Sequence, residues 1–328
     1  MKAFVNQTKQ KETYITNDGS LLLPTNKVAD SIKTFAELVQ RTVEMYLGEQ
    51  YQVKLQTVTK NNGVQRIGLI VLDNQTNIAP TIYLNRYFED YKKGKRIADI
   101  CNSILSVYQA HRVTQDLDMT CLYQFEKVKQ RICYKVIHAE KNKELLKEIP
   151  YVPFHDLAIV FYILVFKEDE EYGSITISHK FQKELWNVTT ETLYELASVN
   201  TKKYFPSKVS SMESLMKEFF AEDTAVLEEL EMDTETNMPL YVATNQVKLY
   251  GANIMLDAEV LKQFAVQVKG DFYIIPSSVH EVLFVPVYAG IETEELNHMI
   301  KDVNETVLSD EEFLSNHVYY YDSSLEQV

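Results

Sequence analysis

The sequence predicts an α+β protein whose antiparallel or mixed sheets are built from β-hairpins, each followed by a packed amphipathic helix. Apolar residues alternate over short runs that are bounded by turn residues, which is the pattern of paired strands. Between those runs, apolar residues recur at three- and four-residue steps, which is the pattern of helices packed on one face. A hairpin followed by a helix occurs twice along the chain, which favours related units without establishing a repeat.

The length of the chain predicts several packed units. With 328 residues, of which 45% are hydrophobic, it exceeds the usual size of a single small domain. We expect a weakly ordered lead-in over residues 1–26, an N-terminal α/β unit over 27–115 and a central hairpin-plus-helix unit over 116–208. An acidic helical connection over 209–236 then leads to a C-terminal α/β unit over 237–328.

The N-terminal unit is predicted to contain a helix, a hairpin, a strand and a second helix. Helical spacing runs from Val28 to Tyr46, and the hairpin that follows turns at residues 61–63, Asn-Asn-Gly, which tolerate positive φ angles. A third strand is expected over 81–85, and the second helix over 97–108.

The central unit begins with helical spacing over residues 122–135 and again over 142–147. Residues 156–166 are nearly all apolar, rich in β-branched and aromatic side chains and too few to span a membrane, so we predict a central strand. A returning strand is expected over 174–178, and Thr189 is placed to cap the helix that follows.

The last part of the chain begins with acidic residues between 210 and 236, which fit the solvated face of a helix because they lack the spacing of a calcium-binding loop. Ser309 and Glu312 have the spacing of a capping box, which predicts the start of a short helix. The C-terminal unit is otherwise predicted to contain two strands and two helices, over 239–244, 318–321, 258–268 and 296–307.

Composition and charge narrow the classes of partner. The formal net charge of −14 argues against general nucleic-acid binding, because affinity for phosphates comes mainly from Lys and Arg. The densest basic cluster, at residues 92–96, surrounds a glycine and is predicted to be a solvated turn.

Three cysteines without C-x-x-C spacing favour a reducing compartment. Because no apolar run is long enough for a signal peptide or a membrane span, we predict a cytoplasmic protein with no membrane partner.

Reactive side chains are most concentrated in residues 276–281, Pro-Ser-Ser-Val-His-Glu. One hypothesis is a hydrolase site in which Ser277 or Ser278 is the nucleophile and His280 is the base. Glu281 or Asp271 would then orient the imidazole, as the acid does in a catalytic triad. The stretch lacks the G-x-S-x-G elbow, and residues so close in sequence rarely point at one another.

The same residues also fit a structural role. Pro276 is expected to end a strand, and Ser277 or Ser278 to cap a short helix by accepting a hydrogen bond from a backbone N–H. Glu281 stands three residues after Ser278, which is the spacing of a capping box. This alternative accounts for every polar group in the stretch except the imidazole of His280.

A metal site is a further alternative. The pair His155-Asp156 precedes the predicted central strand and the pair His280-Glu281 follows another strand, so strand ends on a common sheet would bring nitrogen and oxygen ligands together. No H-E-x-x-H helix supports this arrangement. Glycine-rich phosphate loops are absent from the sequence, so we predict no nucleotide and no other cofactor.

Tyrosine is frequent, with 21 residues, and several of them occur in polar surroundings. A tyrosine ring offers contact area with a polar tip, which suits binding interfaces, although the same residues also pack at sheet edges. The predicted interaction residues are Tyr83, Tyr87, Tyr91, Tyr319, Tyr320 and Tyr321.

Four segments carry a family resemblance: NIAPTIYLN at 77–85, YVATN at 241–245 with Gly251-Ala252 after it, PSSVHEV at 276–282 and LSNHVYYY at 314–321. Together, and in this order, they resemble a family of uncharacterised bacterial proteins that is classed as a domain of unknown function and is common in gut clostridia. The resemblance covers most of the chain from about residue 28 onward. More faintly, residues 156–162 and 189–200 are similar to a second uncharacterised family, from Gram-positive bacteria. Neither resemblance implies a reaction or a catalytic residue.

From these observations we predict a soluble binding or interaction protein with an unknown protein or small-molecule partner. The alternative is a hydrolase or metal-assisted enzyme centred on His280, with Ser277, Ser278 and Glu281. The sequence leaves open whether the protein is an enzyme.

Overall fold

The structure, a computed structural model, describes residues 29–73, 79–112, 119–165, 173–220, 239–287, 293–306 and 308–328. Within these ranges the fold is α+β with antiparallel sheets, as predicted. The described residues form two compact units, the first made of those in 29–59 and 65–112 and the second of 60–64 and those from 119 onward. The predicted lead-in over 1–26 and most of the acidic connection over 209–236 lie outside the described residues.

The first unit packs three α-helices against a three-stranded antiparallel sheet of order β1-β2-β3. Its elements are α1 (Ile32–Leu47), β1 (Tyr51–Thr59), β2 (Gln65–Asp73), β3 (Thr81–Tyr83), α2 (Asn85–Lys92) and α3 (Ile97–His111). This is the predicted succession of helix, hairpin, strand and helix, with α2 in addition. Ser31 caps helix α1, because its hydroxyl accepts a hydrogen bond from the Thr34 N–H at 3.2 Å.

The core of the first unit lies between α1 and the sheet. Phe35, Val39 and Val43 occur at the predicted helical steps and are all buried, together with Leu69 and Val71 of β2. Full burial of an apolar side chain of this size stabilises the fold by about 1.5–3 kcal/mol. The helical spacing therefore identifies the face of α1 that holds this unit together.

The second unit contains two antiparallel sheets and, within the described ranges, six α-helices. The helices are α4 (Phe125–Val128), α5 (Lys143–Leu146), α6 (Thr190–Tyr204), α7 (Met212–Phe219), α8 (Ala258–Val268) and α9 (Thr293–Thr306). The strands are β4 (Ile132–His138), β5 (Tyr151–Phe154), β6 (Leu157–Leu164), β7 (Ser174–Thr176), β8 (Ser207–Ser211), β9 (Tyr241–Asn245), β10 (Phe272–Ser278), β11 (Glu281–Pro286) and β12 (Tyr319–Tyr321). Short 3-10 helices cover Asn61–Gly63, Met119–Tyr123, Lys129–Arg131, Glu140–Asn142 and Gly251–Leu256, and a π-helical turn covers Lys180–Leu185.

The two sheets of this unit share one core. The first has the order β4-β6-β5 with β7 paired to β6, and the second has the order β12-β10-β11-β9-β8. Every residue of β6 is buried, which confirms the predicted central strand. Phe161 of the first sheet and Phe272 and Phe284 of the second belong to the same cluster of buried side chains. Thr189 caps α6 as predicted, since its hydroxyl accepts a hydrogen bond from the Thr192 N–H.

Side chains satisfy the backbone along one edge of β4. The Thr201 hydroxyl accepts a hydrogen bond from the Tyr134 N–H at 3.1 Å, and the Asn200 side chain donates to the Ile132 carbonyl at 2.9 Å. The Asn253 side chain donates to the Tyr134 carbonyl at 3.4 Å. Leaving a buried backbone group unpaired costs about 1–3 kcal/mol, so these bonds fix the position of β4.

The expected strand end at Pro276 and the helix cap after it are wrong. Strand β10 continues through Pro276, and the chain turns at residues 279–280 into β11, so the whole stretch is a β-hairpin. Proline is tolerated at 276 because β12 pairs only with residues 272–274 of β10. A shift of register between residues 276 and 278 makes Ser277 a β-bulge. Ser278 therefore does not cap a helix, and Glu281 begins a strand.

Two other helix predictions are corrected. The spacing over 122–135 gives helical turns only as far as residue 131, and β4 begins at Ile132. Most of β4 is buried on both faces, so its apolar residues match a helical template as well as a strand. The Ser309 hydroxyl does donate to the Glu312 carboxylate at 2.8 Å, but these residues close a single turn and no helix follows before β12.

Candidate functional site

The turn between β10 and β11 holds His280 in place through its backbone. The Ser278 hydroxyl accepts a hydrogen bond from the His280 N–H at 3.0 Å, and the His280 carbonyl accepts one from the Thr244 hydroxyl at 2.8 Å. The neighbouring Val279 N–H donates to the Glu312 carbonyl at 2.9 Å. Bonds from β10, from β9 and from the segment before β12 therefore fix this turn.

The imidazole of His280 lies against Tyr250. The Tyr250 N–H donates to His280 Nδ1 at 3.2 Å, and the two rings stack at 11° with their centroids 5.7 Å apart. Because Nδ1 is an acceptor, the neutral ring carries its proton on Nε2. Lys135 of β4 lies over the same tyrosine ring, with Nζ 4.3 Å from the centroid. We call Lys135, Tyr250 and His280 the His280 cluster.

The backbone at residues 250 and 251 explains how Tyr250 reaches this position. Tyr250 has a φ angle of 54°, in the left-handed region that residues other than glycine seldom adopt. At Gly251 a Cβ atom would lie 2.1 Å from the Thr244 hydroxyl oxygen and 2.5 Å from the His280 carbonyl oxygen. The close approach of these segments therefore requires glycine at 251.

Burial favours the neutral form of the His280 imidazole. It lowers the pKa of the imidazole, while the Glu312 and Glu281 carboxylates act in the opposite direction and Lys135 acts in the same direction as burial. A protonated ring would also lose its hydrogen bond from the Tyr250 N–H, because Nδ1 would become a donor. The geometry and the lowered pKa thus both favour the neutral ring.

A second imidazole, that of His138 at the end of β4, has the same arrangement. Its Nδ1 accepts a hydrogen bond from the Lys141 N–H at 3.2 Å, and its ring packs on Phe313 at 5.3 Å. Burial lowers the pKa of His138, Asp156 acts against this shift and Lys141 acts with it. Both imidazoles therefore serve as fixed, neutral acceptors for a backbone N–H.

Acid is expected to destabilise the protein through these two histidines. Their pKa values in the folded protein are lowered, so below about pH 6.5 the unfolded chain binds more protons than the folded chain. The stability that the two neutral histidines contribute to the folded protein is complete above that pH. It is lost as the pH falls through their folded-state pKa values. The loss is at most about 1.4 kcal/mol per pH unit for each histidine. Urea titrations from about pH 7.5 to about pH 5.5 measure the free energy of unfolding that should fall in this way.

Asparagine is the matched replacement, because its side-chain oxygen keeps an acceptor in place of Nδ1 and does not titrate. In the double variant His138→Asn, His280→Asn, the free energy of unfolding should change less with pH than in the wild-type protein. The control is His155→Asn, at an exposed position with a φ angle of 51° that asparagine tolerates, and it should leave the slope unchanged. A double variant with the same slope as the wild-type protein would show that other groups are responsible.

The four candidate catalytic residues lie on one hairpin, and neither serine hydroxyl is hydrogen-bonded to the imidazole of His280. Ser278 is 8% exposed, and its oxygen contacts the backbone of His280 and not the ring. Ser277 is half-buried in the bulge, and Glu281 is half-buried at the start of β11. Within the described residues no hydroxyl group is hydrogen-bonded to the imidazole, whose bonding partner is the Tyr250 N–H.

The candidate metal ligands lie on two different hairpins. Asp156, in the turn between β5 and β6, accepts hydrogen bonds from the Ser315 hydroxyl at 2.7 Å and the Tyr319 hydroxyl at 2.5 Å. Burial and the bond to Asp156 raise the pKa of Tyr319, and His155 beside them is exposed. Among the described residues, which include His280 and the other candidates, no group of three or more His, Cys, Asp and Glu side chains is placed to hold a metal ion.

Two of the three C-terminal tyrosines in the predicted interaction set are core residues. Tyr319 is 6% exposed and Tyr321 is 1% exposed, so neither side chain is available to a partner in this structure. Tyr320, between them, is exposed, and its hydroxyl bonds Asp271 at 2.5 Å. This hydrogen bond raises the pKa of Tyr320 to about 12. Asp271, the alternative orienting acid, is thus engaged by Tyr320 and by the Ser323 hydroxyl.

The three N-terminal tyrosines of that set are half-buried in the first unit. Tyr83 pairs with Gly68 across β3 and β2, and Tyr87 lies on α2. The Tyr91 hydroxyl accepts a hydrogen bond from the Ala29 N–H at 3.3 Å. Their contacts within the unit give each of them a packing role, and an interaction role stays a prediction.

A cleft of about 560 Å³ in the first unit carries the basic cluster. It is lined by Ala29, Asp30, Phe88, Tyr91, Lys92, Gly94, Lys95 and Arg96. Lys92, Lys95 and Arg96 each form an ion pair with a carboxylate of α2 or α3, at 2.7, 3.5 and 2.8 Å. These cations are compensated locally, as is typical of a solvated, charged surface.

The sequence did not single out Lys135 and Tyr250 as site residues. Both are far from His280 along the chain, and the packing of the 251–256 helix against β4 and against the β10–β11 hairpin brings them to it. The sequence does contain one signal that could have identified Lys135, because it is the charged residue inside the otherwise uncharged run of 132–137. A lysine in such a run needs compensation for its charge and is worth testing as a site residue.

Comparison with known proteins places the chain in a family. None of the helices in the described ranges has the length and apolar character that crossing a membrane requires. No curated protein and no solved structure matches the chain significantly. A family model described as a family of unknown function, DUF5688, matches residues 32–323. Since this match spans nearly the whole sequence, the chain belongs to the DUF5688 family.

Proposed function

We propose that this protein acts by binding a protein or small-molecule partner at the surface around His280, and not by catalysis. The observation that carries the proposal is the hydrogen bond from the Tyr250 N–H to His280 Nδ1. In a serine–histidine pair, one ring nitrogen is protonated and held by an acid while the other accepts the proton of the nucleophile. At His280 the backbone donates to Nδ1, so the neutral ring is protonated on Nε2 and has no basic nitrogen left for a serine.

The surroundings of the ring support the same conclusion. Burial lowers the pKa of His280, which weakens it as a base. Ser278 uses its oxygen to accept the His280 N–H, and so it supports the turn. A neutral imidazole whose Nε2–H is neither fully buried nor hydrogen-bonded within the described residues is well suited to donate a hydrogen bond to a ligand.

A fluorophosphonate probe, which reacts covalently with activated serines, tests the proposal against the hydrolase alternative. We expect no labelling of Ser277 or Ser278 in the wild-type protein, as measured by intact mass and by peptide mass spectrometry. Compounds that raise the melting temperature in a thermal-shift screen should be recovered unchanged after incubation. Labelling of either serine that disappears in His280→Asn would instead establish a catalytic pair.

We also propose a cytoplasmic location and no general nucleic-acid binding. The net charge of −14 supports the second point, since a polyanion would be repelled by most of the surface. Burial raises the pKa of Cys101 and of Cys133 to about 12, so these thiols stay protonated and behave as small core residues. Such cysteines suit a reducing compartment, where no disulfide is needed.

A further inference from the structure

We propose that the His280 cluster is a binding subsite for an anionic group, a carboxylate or a phosphate, that docks on Lys135 beside the Tyr250 and His280 rings. The inference rests on the proposed function, because it names the ligand chemistry for the same surface. Three polar groups carry it: the Lys135 ammonium, the Tyr250 hydroxyl and the His280 Nε2–H. Within the described part of the protein, none of the three has a hydrogen-bond or ion-pair partner.

Lys135 is a half-buried cation without a carboxylate. Its side chain lies on the same face of β4 as the side chains of Cys133 and Ile137, and both of these residues are buried. By contrast, Lys202 of α6 is paired with the buried Asp257 at 2.6 Å. The described contact of the Lys135 ammonium is the face of the Tyr250 ring, which leaves N–H donors available on its other sides. A partly desolvated cation of this kind favours an incoming anion.

Tyr250 and His280 contribute two neutral donors at fixed positions. Every buried side-chain nitrogen and oxygen in the described structure has a hydrogen-bond partner. The Tyr250 hydroxyl and the His280 Nε2 have none, so neither of these atoms is fully buried and each can be reached by a ligand. Their rings are held by stacking and by the bond to Nδ1, and donors that are held in place beforehand lose little entropy when a ligand binds.

The charges around the cluster are arranged unevenly. The carboxylates of Glu281 from β11 and of Glu312 from the segment before β12 act to raise the pKa of His280, against the effect of burial. The Ser309 hydroxyl donates a hydrogen bond to the Glu312 carboxylate at 2.8 Å. Lys135 is the positive group on the other part of the cluster. A ligand should therefore place its negative group at Lys135 and a neutral or cationic part toward His280. A small organic acid or a phosphate ester has this asymmetry, and a nucleic-acid polyanion does not.

Titration of the nitrogen-15-labelled protein with inorganic phosphate and with acetate tests the inference. At an ionic strength kept constant with chloride, we expect the amide signals of Lys135 and Tyr250 and the ring signals of His280 to shift saturably with one or both anions. The anion that binds identifies the ligand as a phosphate or a carboxylate. Absence of a saturable shift with both anions would overturn the inference and would leave the proposed function standing on its own test.

Lys135→Met keeps an unbranched side chain of similar length and removes the charge, and it should weaken the binding by about 10-fold or more. Lys135→Arg, which keeps the charge, should retain binding. The matched control is Lys141→Met, because the Lys141 ammonium lies over the Phe313 ring at 3.7 Å in the same kind of contact but is exposed. Equal binding by the wild-type protein and Lys135→Met, or an equal loss in Lys141→Met, would also overturn the inference.

Discussion

Gly251→Ala is expected to lower the free energy of unfolding by about 3 kcal/mol, the upper part of the range for an added methyl group in a packed interior. The new Cβ atom would lie 2.1 Å from the Thr244 hydroxyl oxygen, 2.5 Å from the His280 carbonyl oxygen and 2.9 Å from the Asn245 nitrogen. Two of these three atoms belong to the backbone, which cannot rotate away as a side chain can. Strand β9 or the hairpin turn must therefore move, and the hydrogen bond between Thr244 and His280 is lost.

Gly270→Ala provides the matched control for this substitution. Gly270 has no atom of another residue within 4 Å of the Cβ position and does not need a positive φ angle, so alanine should change stability by no more than about 0.5 kcal/mol. Urea-induced unfolding of both variants measures the difference. Equal stabilities would show that the segments around Gly251 are looser than the structure indicates.

Asn142→Ala is expected to lower the free energy of unfolding by about 2–4 kcal/mol, because several half-buried polar groups lose their partner at once. Asn142 is 3% exposed. Its side-chain oxygen accepts a hydrogen bond from the Asn62 N–H at 2.9 Å, and its amide nitrogen donates to the His138 carbonyl at 2.9 Å and to the side-chain oxygens of Asn61 and Asn62 at 3.0 and 2.8 Å. Alanine at this position supplies neither the acceptor nor the donor.

The loss of the Asn142 hydrogen bonds should also destabilise the segment before β12. The side-chain nitrogens of Asn61 and Asn62 donate to the backbone carbonyls of Glu311, Asp310 and Phe313, at 2.9, 2.8 and 2.7 Å. Amide hydrogen exchange over residues 309–313 should therefore become faster in Asn142→Ala. The neighbouring Lys143→Ala, at an exposed position, is the control and should change the free energy of unfolding by no more than about 0.5 kcal/mol. A loss in Asn142→Ala as small as in this control would refute the role given to the amide network.

Much of the fold was predictable from the sequence because local signals and tertiary packing agree. The predicted helix over 258–268 is α8, and the turn at residues 61–63 has the expected positive φ angles at Asn62 and Gly63. Strand β6 was identifiable because its apolar run is too short for a membrane and rich in β-branched residues. In each of these segments, the local sequence pattern is compatible with only one type of secondary structure.

The failures occurred where two structures share a local pattern. Ser278 and Glu281 have the spacing of a capping box, yet the same two residues pair across a tight hairpin turn, and the tertiary pairing with β9 decides in favour of the strand. Along β4, burial on both faces removes the alternation that would distinguish a strand from a helix. The candidate site was only partly predictable, because His280 stood out as a polar group without a structural role while its partners Tyr250 and Lys135 meet it only through long-range packing.

We propose that the His280 imidazole is a fixed acceptor within a binding surface and not a catalytic base. Nitrogen-15 spectroscopy of the histidine rings at about pH 7.5 tests it most directly, with the His280 signals identified by their loss in His280→Asn. We predict a neutral ring that is protonated on Nε2, with an unprotonated Nδ1 that accepts the Tyr250 N–H. A ring protonated on Nδ1, with Nε2 accepting a hydrogen bond from a serine hydroxyl, would instead identify His280 as a base paired with a serine.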